Sequence, residues 1–215
     1  GNGIMPWTEE KLKELGAETP TLFDETDGIP FEQVADTQPD VILASYSGLT
    51  QEDYDTLSKI APVVAYPDVP WTTSMEEMVE MNAEAIGKED EGEKLVDDLD
   101  KQTEKALSKY PDLKDKKLLF TAFGGTTDAS KIGFFTTEDP RMGFLAEHGL
   151  GTPDIVEKNS EDAKQFWVEV SAEKPEEFND VDLVVAYSSG NAADDKKALE
   201  EMQKDPLKGK IPAVK

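Results

Sequence analysis

Apolar residues in this chain fall into short continuous runs, separated by stretches with helical spacing. Val41-Ile42-Leu43-Ala44 follows Pro39-Asp40, and Pro62-Val63-Val64-Ala65-Tyr66 forms a second run. Leu118-Leu119-Phe120-Thr121-Ala122-Phe123 ends at Gly124-Gly125, and Leu183-Val184-Val185-Ala186-Tyr187 ends at Ser188-Ser189-Gly190. Runs of this length suit strands buried on both faces, as in parallel sheets. Between them the pattern predicts helices at 8–15, 31–36, 50–59, 140–148 and 192–203. Alternating strands and helices predict an α/β fold.

Local signals sharpen several boundaries. Thr50, followed by Glu52 and Asp53, is a hydroxyl cap with acids in the first turn. Asp139-Pro140 pairs a cap residue with proline at the first helical position, and Gly149 suits the other end of that helix.

Residues 74–110 are different: nearly all are helix formers, interrupted at Gly87 and Gly92, and no strand is predicted. Leu95, Leu99, Thr103, Ala106 and Leu107 keep a helical spacing. A long helical connector between two α/β lobes accounts for this; two ordinary helices packed on one sheet is the other arrangement.

An internal echo favours two lobes. Residues 40–48 (DVILASYSG) resemble 182–190 (DLVVAYSSG), and each precedes an acidic helix. The first copy continues through Ile60-Ala61-Pro62 into a strand, and the second through Ile211-Pro212 into Ala213-Val214-Lys215. Two ordered matches at similar separation indicate a repeated lobe. The expected organisation is an N-terminal lobe at 1–73, a helical connector at 74–110 and a C-terminal lobe at 111–215. The loop-like opening Gly1-Asn2-Gly3-Ile4 and the halt within a presumed strand suggest lobes incomplete at both ends.

Composition narrows the function classes. The 215 residues carry 47 Asp and Glu against 22 Lys and Arg, a net charge of −25. Nucleic acids and anionic lipid surfaces need a basic footprint, so both are excluded as partners. With no cysteine in the sequence, disulfides, thiolate metal sites and cysteine nucleophiles are excluded. No apolar stretch approaches the roughly 20 residues of a membrane span, and no secretory signal pattern opens the chain.

The catalytic inventory is thin. His148 is the only histidine and falls in the last turn of a predicted helix, where the dipole favours it. One His without Cys cannot assemble the usual zinc or triad arrangements. Ser47 and Ser189 precede Gly outside any nucleophile-elbow motif, and Gly124-Gly125 is not a full phosphate fingerprint.

Recognition is better served. Arg141 is the only arginine, at a helix start where a cation needs compensation. It suits planar oxygen ligands or a surface ion pair. Trp71 lies just beyond a strand, and Tyr46 and Tyr187 occupy related places in the two echo segments. Phe134, Phe135 and Trp167 complete the aromatic candidates, with Phe134 and Phe135 expected to face opposite ways and one of them to be core.

Three stretches carry a family resemblance: 28–44 (GIPFEQVADTQPDVILA), 46–66 (YSGLTQEDYDTLSKIAPVVAY) with Pro70-Trp71, and 136–149 (TTEDPRMGFLAEHG). They resemble the siderophore-binding, helical-backbone class of periplasmic binding proteins, which in Gram-positive bacteria are lipoproteins. The resemblance implies two α/β lobes joined by a long helix, a ligand cleft between them, and capture without chemistry. The ligand it implies is a ferric siderophore, with iron present only inside the chelate and no cofactor or protein metal ligand. It also implies a monomer at the extracellular face of the membrane, lipid-anchored through an N-terminal Cys outside this sequence, or in the periplasm. Glu52 and Glu173 resemble the exposed acids that dock on the permease of an ABC importer. Several arginines often meet an anionic chelate in this class; this sequence offers one, so either residues outside this sequence supply more or the ligand is less anionic, such as a hydroxamate complex. Haem or cobalamin binding within the same fold, an α/β enzyme acting on a sugar or nucleotide, and an adhesion module are the alternatives.

Overall fold

The computed structural model describes residues 4–121, 128, 130–161, 165–188 and 190–214. The chain divides into two compact units, Gly1–Ala44 with Leu49–Ala65 and Ser45–Gly48 with Tyr66–Lys215. Residues 45–48 and 66–110 therefore belong with the second unit.

The first unit holds α1 (Pro6–Leu15), α2 (Phe31–Asp36), β1 (Ile42–Ala44), α3 (Gln51–Leu57) and β2 (Val63–Ala65). Pro6 starts α1, and Gly16, at φ 66°, closes it in the left-handed conformation. The Thr50 signal becomes a full capping box. Asp53 N–H donates to the Thr50 hydroxyl, and the Asp53 carboxylate accepts from Thr50 N–H at 3.0 Å. β1 and β2 pair in parallel, Ile42 opposite Val63, with α3 between them in sequence. Leu49, Leu57 and Ala61 are buried.

The second unit opens with α4 (Met75–Ala85) and α5 (Glu89–Leu107). The helical stretch predicted at 74–110 forms as two helices. The break lies at Ile86 to Lys88, with Gly87 at φ 67°. Gly92, by contrast, lies inside α5, buried against Ala83 of α4: a Cβ there would come within 2.5 Å of the Ala83 methyl, so glycine lets the helices approach.

Next come β3 (Leu118–Thr121), β4 (Lys131–Phe135), α6 (Pro140–Glu147), α7 (Asp154–Ser160), β5 (Trp167–Ser171), β6 (Leu183–Ala186) and α8 (Ala192–Lys204). The sheet order is β5-β4-β3-β6. The α/β class holds, but this sheet is mixed and not all-parallel. β3 and β6 are parallel, as their continuous apolar runs predicted. β4 runs antiparallel to β3 and β5. Ala213-Val214, read as the start of a strand, form a 3-10 turn at Pro212–Val214, with Ile211 and Val214 buried.

Leu119, Ile132, Phe134, Met142, Val156 and Phe178 form the centre of the core. Burial of each such side chain is worth ~1.5–3 kcal/mol. Polar ties fix its margin. Lys117 Nζ meets Asp154 and Asp180 Oδ2, the latter at 2.7 Å, while Lys117 N–H donates to Asp182 at 2.9 Å. Hydrogen bonds to both aspartates hold the Lys117 ammonium well above its ordinary range. Among the described residues, no helix is long and apolar enough to cross a membrane.

Candidate ligand-binding site

The site grows from one row of aromatic rings across the second sheet. Phe135 of β4 is paired with Trp167 of β5, and their rings meet edge to face at 4.9 Å. On the other side of Phe135 lies Phe120 of β3, at 5.4 Å. Tyr187 follows β6 and contacts Phe120 at 5.7 Å. Such pairs add about 0.5–1.5 kcal/mol beyond burial. Gly133 of β4 makes the row possible. The Trp167 indole lies over its Cα, and a Cβ there would sit 2.0 Å from Cζ2.

Arg141 lies on this platform, its guanidinium carbon 4.1 Å from the Phe135 ring centroid. The dipole problem of a cation in the first turn of α6 is met by Asp139. This fully buried N-cap accepts from the Arg141 backbone N–H at 2.9 Å. Its carboxylate also takes a two-pronged grip on the guanidinium, accepting from Nε at 2.7 Å and from Nη2 at 2.6 Å. Nη1 donates to the Tyr187 hydroxyl at 2.6 Å, and Nη2 to the Tyr46 hydroxyl at 3.3 Å. Four of the five guanidinium N–H groups are thus engaged; the fifth, on Nη1, has no partner among the described residues.

The bonds to Asp139 hold the Arg141 charge firmly in place, well above the ordinary guanidinium range. Burial pushes the Tyr46 phenol up, against the pull of Arg141, so Tyr46 keeps its proton at neutral pH. Each tyrosine oxygen accepts from Arg141, which leaves each O–H free to donate elsewhere. The arrangement is a pre-set group of neutral donors with the arginine charge balanced internally.

Trp71 completes the wall. Its ring meets Tyr46 edge to face at 5.2 Å, and its backbone N–H donates to the Ser47 carbonyl at 3.1 Å. The 45–48 segment is itself anchored: the buried Thr73 hydroxyl donates to the Ser45 carbonyl at 2.5 Å, and Ser45 Oγ bonds Asn82 of α4 at 3.0 Å. Tyr46 and Trp71 are therefore held as part of the second unit.

Of the seven candidate recognition residues, six converge here: Tyr46, Trp71, Phe135, Arg141, Trp167 and Tyr187. Phe134, also expected at the ligand site, is not among them. It leaves the opposite face of β4, is fully buried and packs on Phe178 at 6.4 Å, so it belongs to the core. Phe135, 5% exposed, serves as the platform under Arg141. Asp139 and Phe120 were missed, though the Asp-Pro-Arg sequence carried the signal for Asp139. His148 caps the far end of α6, its Nδ1–H donating to the Phe144 carbonyl at 2.8 Å and its Nε2 lying 3.7 Å from Asp100. Glu52, in the first turn of α3, and Glu173, after β5, are both exposed, each in its own unit. Gly124-Gly125 and Ser189 lie outside the described residues.

The sequence profile of the periplasmic binding protein family matches residues 3–215. The chain belongs to that family. Among solved structures, this binding protein is similar to PiaA of Streptococcus pneumoniae TIGR4 in complex with ferrichrome. The two share 44% identity at a TM-score of 0.85, over 99% of this chain and 69% of that one. A second structure, described as the iron uptake ABC transporter substrate-binding protein PiaA from the same organism, gives 43% identity and a TM-score of 0.83, over 99% and 70%. SirA of Staphylococcus aureus shares the fold at 21% identity and a TM-score of 0.69, over 98% and 74%. No curated protein sequence matched the binding protein.

Proposed function

We propose that this protein captures a ferric siderophore, of the uncharged hydroxamate kind, outside the cytoplasmic membrane and delivers it to the permease of an ABC importer. The observation that carries the reading is the balanced Arg141–Asp139 pair, flanked by two tyrosine hydroxyls on an aromatic wall. A ferric tris-hydroxamate is electrically neutral, because three monoanionic groups cancel the iron charge. It needs donors for its peripheral oxygens and flat apolar surface for its backbone. A tris-catecholate complex carries three negative charges, which the balanced pair does not offset and which a chain of net charge −25 repels. Iron is cargo, held wholly by the chelate. The 44% identity to a protein solved with ferrichrome supports the same ligand class.

Tryptophan emission during titration tests this. Ferrichrome is expected to quench it saturably, and a ferric tris-catecholate to bind at least ~10-fold more weakly, a difference of 1.4 kcal/mol. Absence of saturable quenching by hydroxamate, catecholate and carboxylate chelates alike would refute the reading.

Delivery supplies a separate expectation. Glu52 and Glu173 are proposed to dock on basic residues of the permease. Reversing both (Glu52→Lys with Glu173→Lys) is expected to leave ferrichrome affinity unchanged and to lower siderophore-dependent iron uptake by about 10-fold or more, since like charges facing each other across an interface cost several kcal/mol. Unchanged uptake would remove these two acids from the docking surface.

A further inference from the structure

We infer that Gly48 is a positioning residue for the ligand site: its missing side chain is what seats the Trp71 indole. The inference rests on the siderophore reading above. Trp71 has φ 64°, a left-handed backbone that bulky residues rarely adopt. Such an outlier persists only where its surroundings over-determine it, and it points to function. Here the surroundings are specific. The Trp71 backbone N–H is fixed to the Ser47 carbonyl, and its ring edges against Tyr46. The indole lies on the backbone of Gly48, where an added Cβ would sit 2.5 Å from Nε1 and 3.0 Å from Cε2.

The contact lies at the surface, outside the core. Gly48 is exposed, Trp71 is 39% exposed, and Gly48 has no left-handed φ that would require glycine. A strained tryptophan held on an exposed glycine, beside a tyrosine bonded to the site arginine, is an arrangement that fixes the direction of an aromatic wall. Any residue larger than glycine at 48 turns the indole away and changes the surface offered to the chelate.

The experiment compares Gly48→Ala, Trp71→Phe and the double variant. Three indole N–H resonances are expected, one per tryptophan, and Trp71→Phe identifies its own by loss. Gly48→Ala is expected to shift the Trp71 resonance, leave that of Trp7 in place, and keep the melting temperature within about 2 °C, as for a surface substitution. Ferrichrome affinity is expected to fall about 10-fold, the scale of one aromatic contact. In the Trp71→Phe background the same change should have much less effect. An unmoved resonance, or an equal affinity loss in both backgrounds, would overturn the positioning role. If the unaltered protein binds no ferrichrome, the functional reading fails, and the resonance shift in the unliganded protein still reports whether Gly48 seats the indole.

Discussion

Asp139→Asn is expected to weaken ferrichrome binding roughly 30- to 100-fold while lowering stability by about 2 kcal/mol. Asparagine matches aspartate in shape and can keep the cap, because its carbonyl can still accept from the Arg141 N–H. It cannot keep the guanidinium. In one orientation its NH2 faces Nη2 where the carboxylate now accepts at 2.6 Å; in the other it faces both the backbone N–H and Nε. Either way donor meets donor. The guanidinium must swing off Phe135 and release Tyr187 and Tyr46. Breaking a buried pair from one side costs ~3–5 kcal/mol, but the Arg141 side chain is 32% exposed and recovers some hydration, which sets the lower figure. Chemical denaturation and titration read the two effects separately. The released charge also predicts a change in selectivity: the ratio of hydroxamate to catecholate affinity should fall. A variant that keeps both affinities would show that the pair does not set the charge of the site.

The sequence revealed the parts of this site unevenly, for physical reasons. Tyr46 and Tyr187 stood out because strand ends in an α/β fold present ligand-binding residues, and the echo placed both there. Arg141 stood out by rarity. Asp139 was read only as a cap, because a sequence shows the backbone N–H such a residue can reach and not the side chain that folds back onto it. The aromatic row was invisible for a different reason. It depends on register across three strands, and two of them, β4 and β5, lack the long apolar runs that mark buried parallel strands. Lys131-Ile-Gly-Phe-Phe and Trp167-Val-Glu-Val-Ser are short and partly polar. Antiparallel pairing with β3 and with each other brings Phe120, Phe135 and Trp167 side by side. The helical stretch at 74–110 shows the same limit. Gly87 and Gly92 look alike in sequence, yet one breaks the helix and the other only admits its neighbour.

Gly133 is where this register can be tested with a large effect. Gly133→Ala is expected to lower stability by about 3 kcal/mol, roughly 6–12 °C in melting temperature for a chain of this length. The position is buried, and the added methyl would lie 2.0 Å from Trp167 Cζ2, 2.7 Å from Cε2 and 2.8 Å from Cη2. Those atoms belong to a rigid ring whose other edge packs on Phe135, so no small rotation relieves the contact. The indole must leave its seat, and Phe135 then loses the neighbour that completes the platform beneath Arg141. Alanine is better than glycine in a strand interior by roughly 0.5–1 kcal/mol on entropy alone, so a measured loss isolates the steric effect. Trp167 emission should move to longer wavelength as the ring meets water, and ferrichrome affinity should fall with it. A Gly133→Ala protein that melts at or above the parent temperature would mean that the indole does not occupy the space over β4, and the aromatic row would have to be redrawn.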